Sequence, residues 1–164
     1  MNVNERIVNC WLTKCRKMLT TSEIIYNNFN AAIDLLAIDL QNEKPLAWDI
    51  EVKLRTGGIH IALNNTPQNG YYHFRDQLNN TDRDQHLRNI IFPSIEIEKI
   101  FITNRKFLRN KDKNNEYWES KFKTEENITV LYFEDIITEL QKKARQITTS
   151  NDEILQILRL HNTL

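Results

Sequence analysis

Ten residues, Leu46 to Arg55, restrict the fold of this chain more than any other stretch. Alternate side chains of a strand share a face. Trp48, Ile50, Val52 and Leu54 therefore form an apolar row, and Asp49, Glu51 and Lys53 an ionisable one, followed by Arg55. A strand in a small α/β domain is covered on both faces, so a row of ionisable groups there calls for an explanation. The preceding segment, Ala32 to Leu40, supplies one. It places Ile33, Leu35 and Ala37 on one face and Asp34, Leu36 and Ile38 on the other, and Asp34 is the only charge between Ala31 and Ile38. The polar run Gln41 to Pro45 predicts that the two segments form a hairpin.

Paired in this way, the hairpin brings Asp34 close to Glu51 on one sheet surface. Two carboxylates so placed repel and resist desolvation unless a cation lies between them. A divalent ion that prefers oxygen ligands, Mg²⁺ with Mn²⁺ as a substitute, relieves that strain. Lys53, two positions beyond Glu51, falls about 7 Å further along the same row. There its ammonium is expected to orient a water or to stabilise charge on a phosphate.

The rest of the chain reads as α/β. An amphipathic helix spans Glu5 to Met18, with Ile7, Val8, Trp11, Leu12 and Cys15 on one side. A short strand is expected at Glu23 to Asn28. Tyr71 to Ile91 reads as helical in part, with Thr81-x-x-Asp84 as a cap and Pro93 as the stop. Strands follow at Ile95 to Thr103 and Ile128 to Phe133, separated by a charged, Asn-rich excursion from Asn104 to Glu126. Helices are expected at Glu134 to Ile147 and at Asp152 to Leu160, the latter opened by the capping box Ser150-x-x-Glu153. The expected architecture is a mixed β-sheet of about five strands flanked by helices, built as one domain over residues 1–164.

Composition narrows the function classes. Lys plus Arg and Asp plus Glu are both 22, so the chain does not coat nucleic acid by bulk charge, although a local basic groove remains open. No apolar run approaches the roughly 20 residues of a membrane span, and the first residues do not resemble a signal peptide. Cys10 and Cys15, five residues apart, point about 140° apart on a helix and do not bridge locally. With no paired Cys-x-x-Cys there is no support for a zinc site. A soluble, cytoplasmic protein is expected. The few glycines fit no phosphate-binding loop, and neither a G-x-S-x-G elbow nor a paired-His metal motif occurs.

Asp34, then 16 intervening residues, then Glu51-Val52-Lys53, resembles the PD-(D/E)XK nuclease superfamily, the restriction-endonuclease-like fold. Ala32-Ile33-Asp34-Leu35-Leu36-Ala37 and Ile50-Glu51-Val52-Lys53-Leu54-Arg55 are similar to the aspartate strand and the E-V-K-x-R strand of Holliday-junction-resolvase-like members. Those members also carry a glutamate early in the first helix, where Glu5 stands. The motif match covers Asn4 to Arg55, and the remainder matches by element order. Ala32 departs from the proline or acidic residue often found near the aspartate.

The resemblance implies a Mg²⁺-dependent deoxyribonuclease with one or two metals. Asp34, Glu51, the Val52 carbonyl and, as a further candidate, Glu5 would be ligands, with Lys53 as the catalytic lysine. By the same analogy the partner is DNA, and a homodimer or a larger complex is a weaker expectation. The alternative is an inactive nuclease fold serving as a nucleic-acid-binding or protein-interaction module of a repair, defence or mobile-element system. A third reading is an unrelated α/β domain with a charged hairpin, in which Asp34 and Glu51 stand more than about 8 Å apart, too far for one ion.

Other candidates carry two readings each. Arg55, Arg75, Arg83 and Arg88 suit phosphate contacts, although a solvated helix face explains the last three equally well. The run Arg105 to Lys113, including Lys106 and Arg109, is either a flexible arm tracking a nucleic-acid backbone or a solvated loop. Tyr71, Tyr72 and Phe74 suit base stacking or a core cluster. Trp48 is read as core and Asp49 as part of a solvated face. His60, His73, His86 and His161 are read as surface or loop residues, and Glu5 also suits a first-turn acid favoured by the helix dipole.

Overall fold

The structure, a computed structural model, describes residues 1–26, 31–61, 70–147 and 151–161. It is an α/β fold with a five-stranded mixed sheet between helical layers. The elements run α1 (Val3–Lys14), β1 (Leu19–Tyr26), β2 (Ala31–Asp39), β3 (Leu46–Val52), α2 (Tyr71–Leu78), α3 (Thr81–Ile90), β4 (Glu96–Thr103), α4 (Asn115–Glu126), β5 (Ile128–Tyr132), α5 (Phe133–Gln146) and α6 (Glu153–His161). The strands lie in sequence order. β1, β2 and β3 form an antiparallel meander, and β4 and β5 add in parallel. The two parallel steps are crossed by α2 with α3 and by α4, as parallel pairing requires. Among the described residues no helix is long and apolar enough to cross a membrane.

Strand periodicity gives the sheet two buried faces. Leu35, Ala37, Ile50, Val52, Ile100 and Ile102 pack against Val8, Trp11 and Leu12 of α1, Ile136, Leu140 and Ala144 of α5, and Leu155 of α6. Trp48 is half-buried at the edge of this layer, 6.3 Å from Trp11. On the opposite face Phe101, Ile128 and Tyr132 meet Tyr71, Phe74 and Leu78 of α2 and Trp118 and Phe122 of α4. Tyr71 and Phe74 are fully buried, so they serve the core rather than base stacking. Each such aromatic, taken out of water, stabilises the fold by about 1.5–3 kcal/mol.

Several boundaries differ from those read in the sequence. The expected helix across Tyr71 to Ile91 is two helices, broken at Asn79-Asn80, and α3 is capped by the Asn80 side chain rather than by Thr81. The excursion from Asn104 to Glu126 contains α4. Asn114 caps it through the Tyr117 N–H, and Asn127 ends it in the left-handed conformation. β1 begins at Leu19, and residues 27 and 28 of the expected strand lie outside the described residues. Ser150 also lies outside them; at the start of α6 the Asp152 side chain accepts from the Ile154 and Leu155 N–H groups.

Candidate active site

The site forms where the β2–β3 ladder stops. Its last pair is Leu35 with Ile50, and the same register continued by one step sets Asp34 opposite Glu51. With no further ladder partner on that side, the Val52 N–H donates to Asp34 Oδ2 at 2.8 Å. On the other side the Lys53 N–H donates to the Ile102 carbonyl of β4 at 2.9 Å. The main chain thus fixes both the carboxylate and the base of the lysine side chain.

The Lys53 ammonium folds back between the acids, 3.0 Å from Asp34 Oδ2 and 2.6 Å from Glu51 Oε1. Two carboxylate oxygens within 3.0 Å of one nitrogen lie far closer together than the separation expected of an unrelated charged hairpin. Glu51 is fully buried, whereas Lys53 and Asp34 keep side-chain exposures of 25% and 14%, so the cluster opens to solvent at those two residues.

Behind them lies a second layer that the sequence did not reveal. Arg83 of α3 is fully buried and grips Asp49 through Nε and Nη2, the latter at 2.6 Å from Oδ1, while Nη1 donates to Glu51 Oε2 at 3.0 Å. Gln77 of α2 donates to Glu51 Oε1. Asp49 is therefore a buried partner of Arg83, not part of a solvated face, and Arg83 does not lie on a solvated helix face. The next residue in register, Lys99, reaches Asp84 and Asn79. The fork of Arg83 explains the acidic row on β3, because its planar guanidinium grips Asp49 through two nitrogens and still offers a third to Glu51.

Charge in the cluster is uneven. Burial and then the Asp34 charge hold the Glu51 carboxyl above the usual carboxylate range, against the pull of Lys53 and Arg83. Burial works to strip the proton from Lys53, but the Glu51 and Asp34 charges outweigh it and keep the ammonium charged. Arg83 is held charged in the same way, burial being outweighed by Asp49 and Glu51. Three carboxyl groups, of Asp34, Asp49 and Glu51, thus share two cations, Lys53 and Arg83, in one cluster. These side-chain cations already make the paired acids tolerable, so repulsion alone does not demand a dication.

The donor set is nevertheless suited to Mg²⁺. Among the described residues no group of three or more His, Cys, Asp or Glu is arranged for a metal. Mg²⁺, however, is commonly held by one or two carboxylates plus waters and substrate phosphates. Asp34 at the open side and the buried Glu51 Oε1 behind it offer hard oxygen donors, on condition that Lys53 and Gln77 release them.

Compared with known proteins, the chain matches no family model, no curated protein and no solved structure.

The other candidates are placed as follows. Glu5 closes a capping box with Asn2 at the start of α1. Arg75 pairs with Asp76 and lies over Tyr72, which is only half-buried. Arg88 reaches the Ile95 carbonyl from an exposed position. Lys106 and Arg109 lie on the loop after β4, lining a pocket with His60. The Arg55 N–H donates to Asn104, while Arg55 Nε is buried without a protein acceptor. His73 lies near Arg55 and Lys53, whose charges join burial in lowering its pKa. His86 lies beside Tyr26. The side chain of His161 lies outside the described residues.

Proposed function

We propose that this protein is a divalent-metal-dependent endonuclease that hydrolyses phosphodiester bonds in DNA, in the manner of PD-(D/E)XK nucleases. The observation that carries the reading is Lys53 Nζ lying within 3.0 Å of both Asp34 and Glu51, at the end of a ladder that opens to solvent on that side. A lone E-x-K tripeptide arises by chance, but its convergence with an aspartate from the neighbouring strand does not follow from the tripeptide.

Asp34 and Glu51 Oε1 would hold Mg²⁺ or Mn²⁺, together with the Val52 carbonyl. The bound ion would supply Lewis-acid polarisation of the phosphate and charge neutralisation. The residues do the rest. Arg83 occupies Glu51 Oε2, so only Oε1 faces the reacting side. The Val52 N–H keeps Asp34 from turning away. Lys53, once released from the carboxylates, carries a positive charge to the attacking water or to a non-bridging phosphate oxygen.

The test is cleavage of supercoiled plasmid with Mg²⁺ or Mn²⁺. Wild-type protein should nick it, and Lys53→Ala and Asp34→Ala should not, while both variants keep wild-type circular dichroism. Equal activity in wild type and Lys53→Ala defeats the assignment.

A second reading, a nuclease fold that binds without turnover, draws on the donors crowding Glu51: Arg83 on one oxygen, Lys53 and Gln77 on the other. Calorimetric titration with Mn²⁺ separates the two readings. The nuclease binds the ion in wild type and loses it in Asp34→Ala, whereas the scaffold binds it in neither.

A further inference from the structure

The basic run after β4 is not a free arm. Arg55 and Asn104 exchange two hydrogen bonds at 3.0 Å, the Arg55 N–H to Asn104 Oδ1 and the Asn104 side-chain amide to the Arg55 carbonyl. The Ile59 N–H donates to the Phe107 carbonyl at 2.8 Å, and Asn110 Nδ2 donates to the Ile59 carbonyl at 2.9 Å. Phe107 and Leu108 are fully buried in the core beneath. Two loops, 54–60 after β3 and 104–113 after β4, are thus stitched into one platform.

The platform carries a shallow, open depression of about 450 Å³ whose charged lining residues are the exposed Lys106, Arg109 and Lys111, with His60 beside them and no acid among the lining residues. The neighbouring cations are engaged elsewhere: Arg105 pairs with Asp135, and Lys113 lies over the Tyr117 ring. No ion pair of Lys106, Arg109 or Lys111 occurs among the described residues. In a chain of zero net charge, three cations gathered at one concavity without counter-charges form a localised anion site. Its rim residue Thr56 is three residues from Lys53, a chain span of at most about 11 Å. Arg55, between them, keeps a buried Nε without a protein acceptor, and buried charged donors are ordinarily paired.

We infer that this pocket is an anion subsite gripping a backbone phosphate of DNA beside the scissile bond, with Lys106, Arg109 and Lys111 as its contacts. The inference rests on the proposed nuclease function for the identity of its ligand, but not for its geometry. Contacts of this kind position the nucleic acid without reading its bases.

The experiment is fluorescence anisotropy of a labelled DNA duplex in EDTA at graded salt concentrations. It uses wild type, the triple variant Lys106→Gln/Arg109→Gln/Lys111→Gln, and a control carrying Lys142→Gln/Lys143→Gln/Arg145→Gln on α5. The pocket variant should lose at least tenfold in affinity. Its slope of log affinity against log salt should flatten by about 2 to 3, since each phosphate contact contributes about 0.9. The control should bind as wild type does. Unchanged affinity and slope in the pocket variant, or an equal loss in the control, overturns the inference. So does loss of binding to anionic phospholipid vesicles with DNA binding intact. Because EDTA removes metal, binding is read apart from cleavage. If wild type binds through the pocket but never cuts with Mg²⁺, the nuclease reading fails and the subsite stands. If it cuts while the pocket variant binds unchanged, the reverse holds.

Discussion

Arg83 and Asp49 form a bidentate ion pair in which neither side chain has any solvent exposure, with Nη2 at 2.6 Å from Oδ1. An ion pair with no water around it behaves unlike one on the surface. Removing one partner leaves a bare charge in the interior, at about 3–5 kcal/mol. Asp49→Ala should therefore lower the unfolding free energy, read by urea denaturation, by that amount. Arg83→Met should do at least as much, because it strips Glu51 as well. Arg6→Ala, which breaks a pair exposed at 51% and 76%, should cost no more than about 1 kcal/mol. Similar losses at the buried and exposed pairs would show that Arg83 is solvated.

Lys53 couples Asp34 to Glu51, and the coupling is measurable without any assay of function. A double-mutant cycle of Asp34→Asn and Lys53→Met, read by urea unfolding, isolates the contact at 3.0 Å. The expected interaction energy is about 0.5–3 kcal/mol. Additive effects of the two substitutions would mean that the ammonium does not sit between the acids.

The hairpin at the heart of the site was legible because a strand with one lone charge beside a strand of alternating charge has a single register that buries its apolar residues. Asp34 and Glu51 follow from that register. Arg83 was not legible. α3 reads Thr-Asp-Arg-Asp-Gln-His-Leu-Arg-Asn-Ile, and every cue of polarity marks it as solvated, yet its buried face is Arg83 and Leu87. The one available signal was their spacing of four, which puts them on the same side of a helix. α4 escaped for a related reason. Its Trp118 and Phe122, also four apart, carry the whole buried face among charged residues. Where a single large side chain anchors a turn, average hydropathy conceals the helix that periodicity would reveal.

His73 provides a local report on the charge of the site. Burial, then Arg55, then Lys53 push its pKa below the ordinary 6.5. A histidine that charges less readily when folded destabilises the fold as pH drops. The unfolded chain takes up a proton first, so this contribution to stability is complete above 6.5 and is lost as pH falls below it. NMR titration of the His73 ring should give a midpoint below 6.5, and Lys53→Met should move it part of the way back. A midpoint unchanged by that substitution would place the ammonium away from His73.

Cys10 gives a second pH dependence, of different origin. Burial, then the charge and hydrogen bond of Asp152, whose Oδ1 lies 3.4 Å from Sγ, push its thiol pKa from 9.0 up to about 12. Between those values the native state keeps a proton that the unfolded chain has released. Stability from this group therefore falls as pH rises from about 9 towards about 12. The difference in unfolding free energy between wild type and Cys10→Ala should shrink between pH 8 and pH 10.5, the interval in which unfolded thiols begin to ionise. A constant difference would show that the thiol is not sequestered.

Gly58 holds the two basic loops against each other. A Cβ built on it would stand 2.4 Å from the Arg109 carbonyl oxygen, a main-chain atom pinned by the hydrogen bonds that join Ile59 to Phe107 and Asn110 to Ile59. Neither side can yield by rotating a side chain, so Gly58→Ala must part the loops. Forcing added volume into a packed contact costs about 1–3 kcal/mol. Because the contact lies on the platform rather than in the sheet, the unfolding free energy read by urea denaturation should fall by that amount while far-ultraviolet circular dichroism stays as in wild type. Amide exchange should speed up first at Ile59 and Asn110, whose N–H groups donate across and within the platform. If Gly58→Ala were as stable as wild type, with Ile59 exchange unaltered, the loops would not be packed as described.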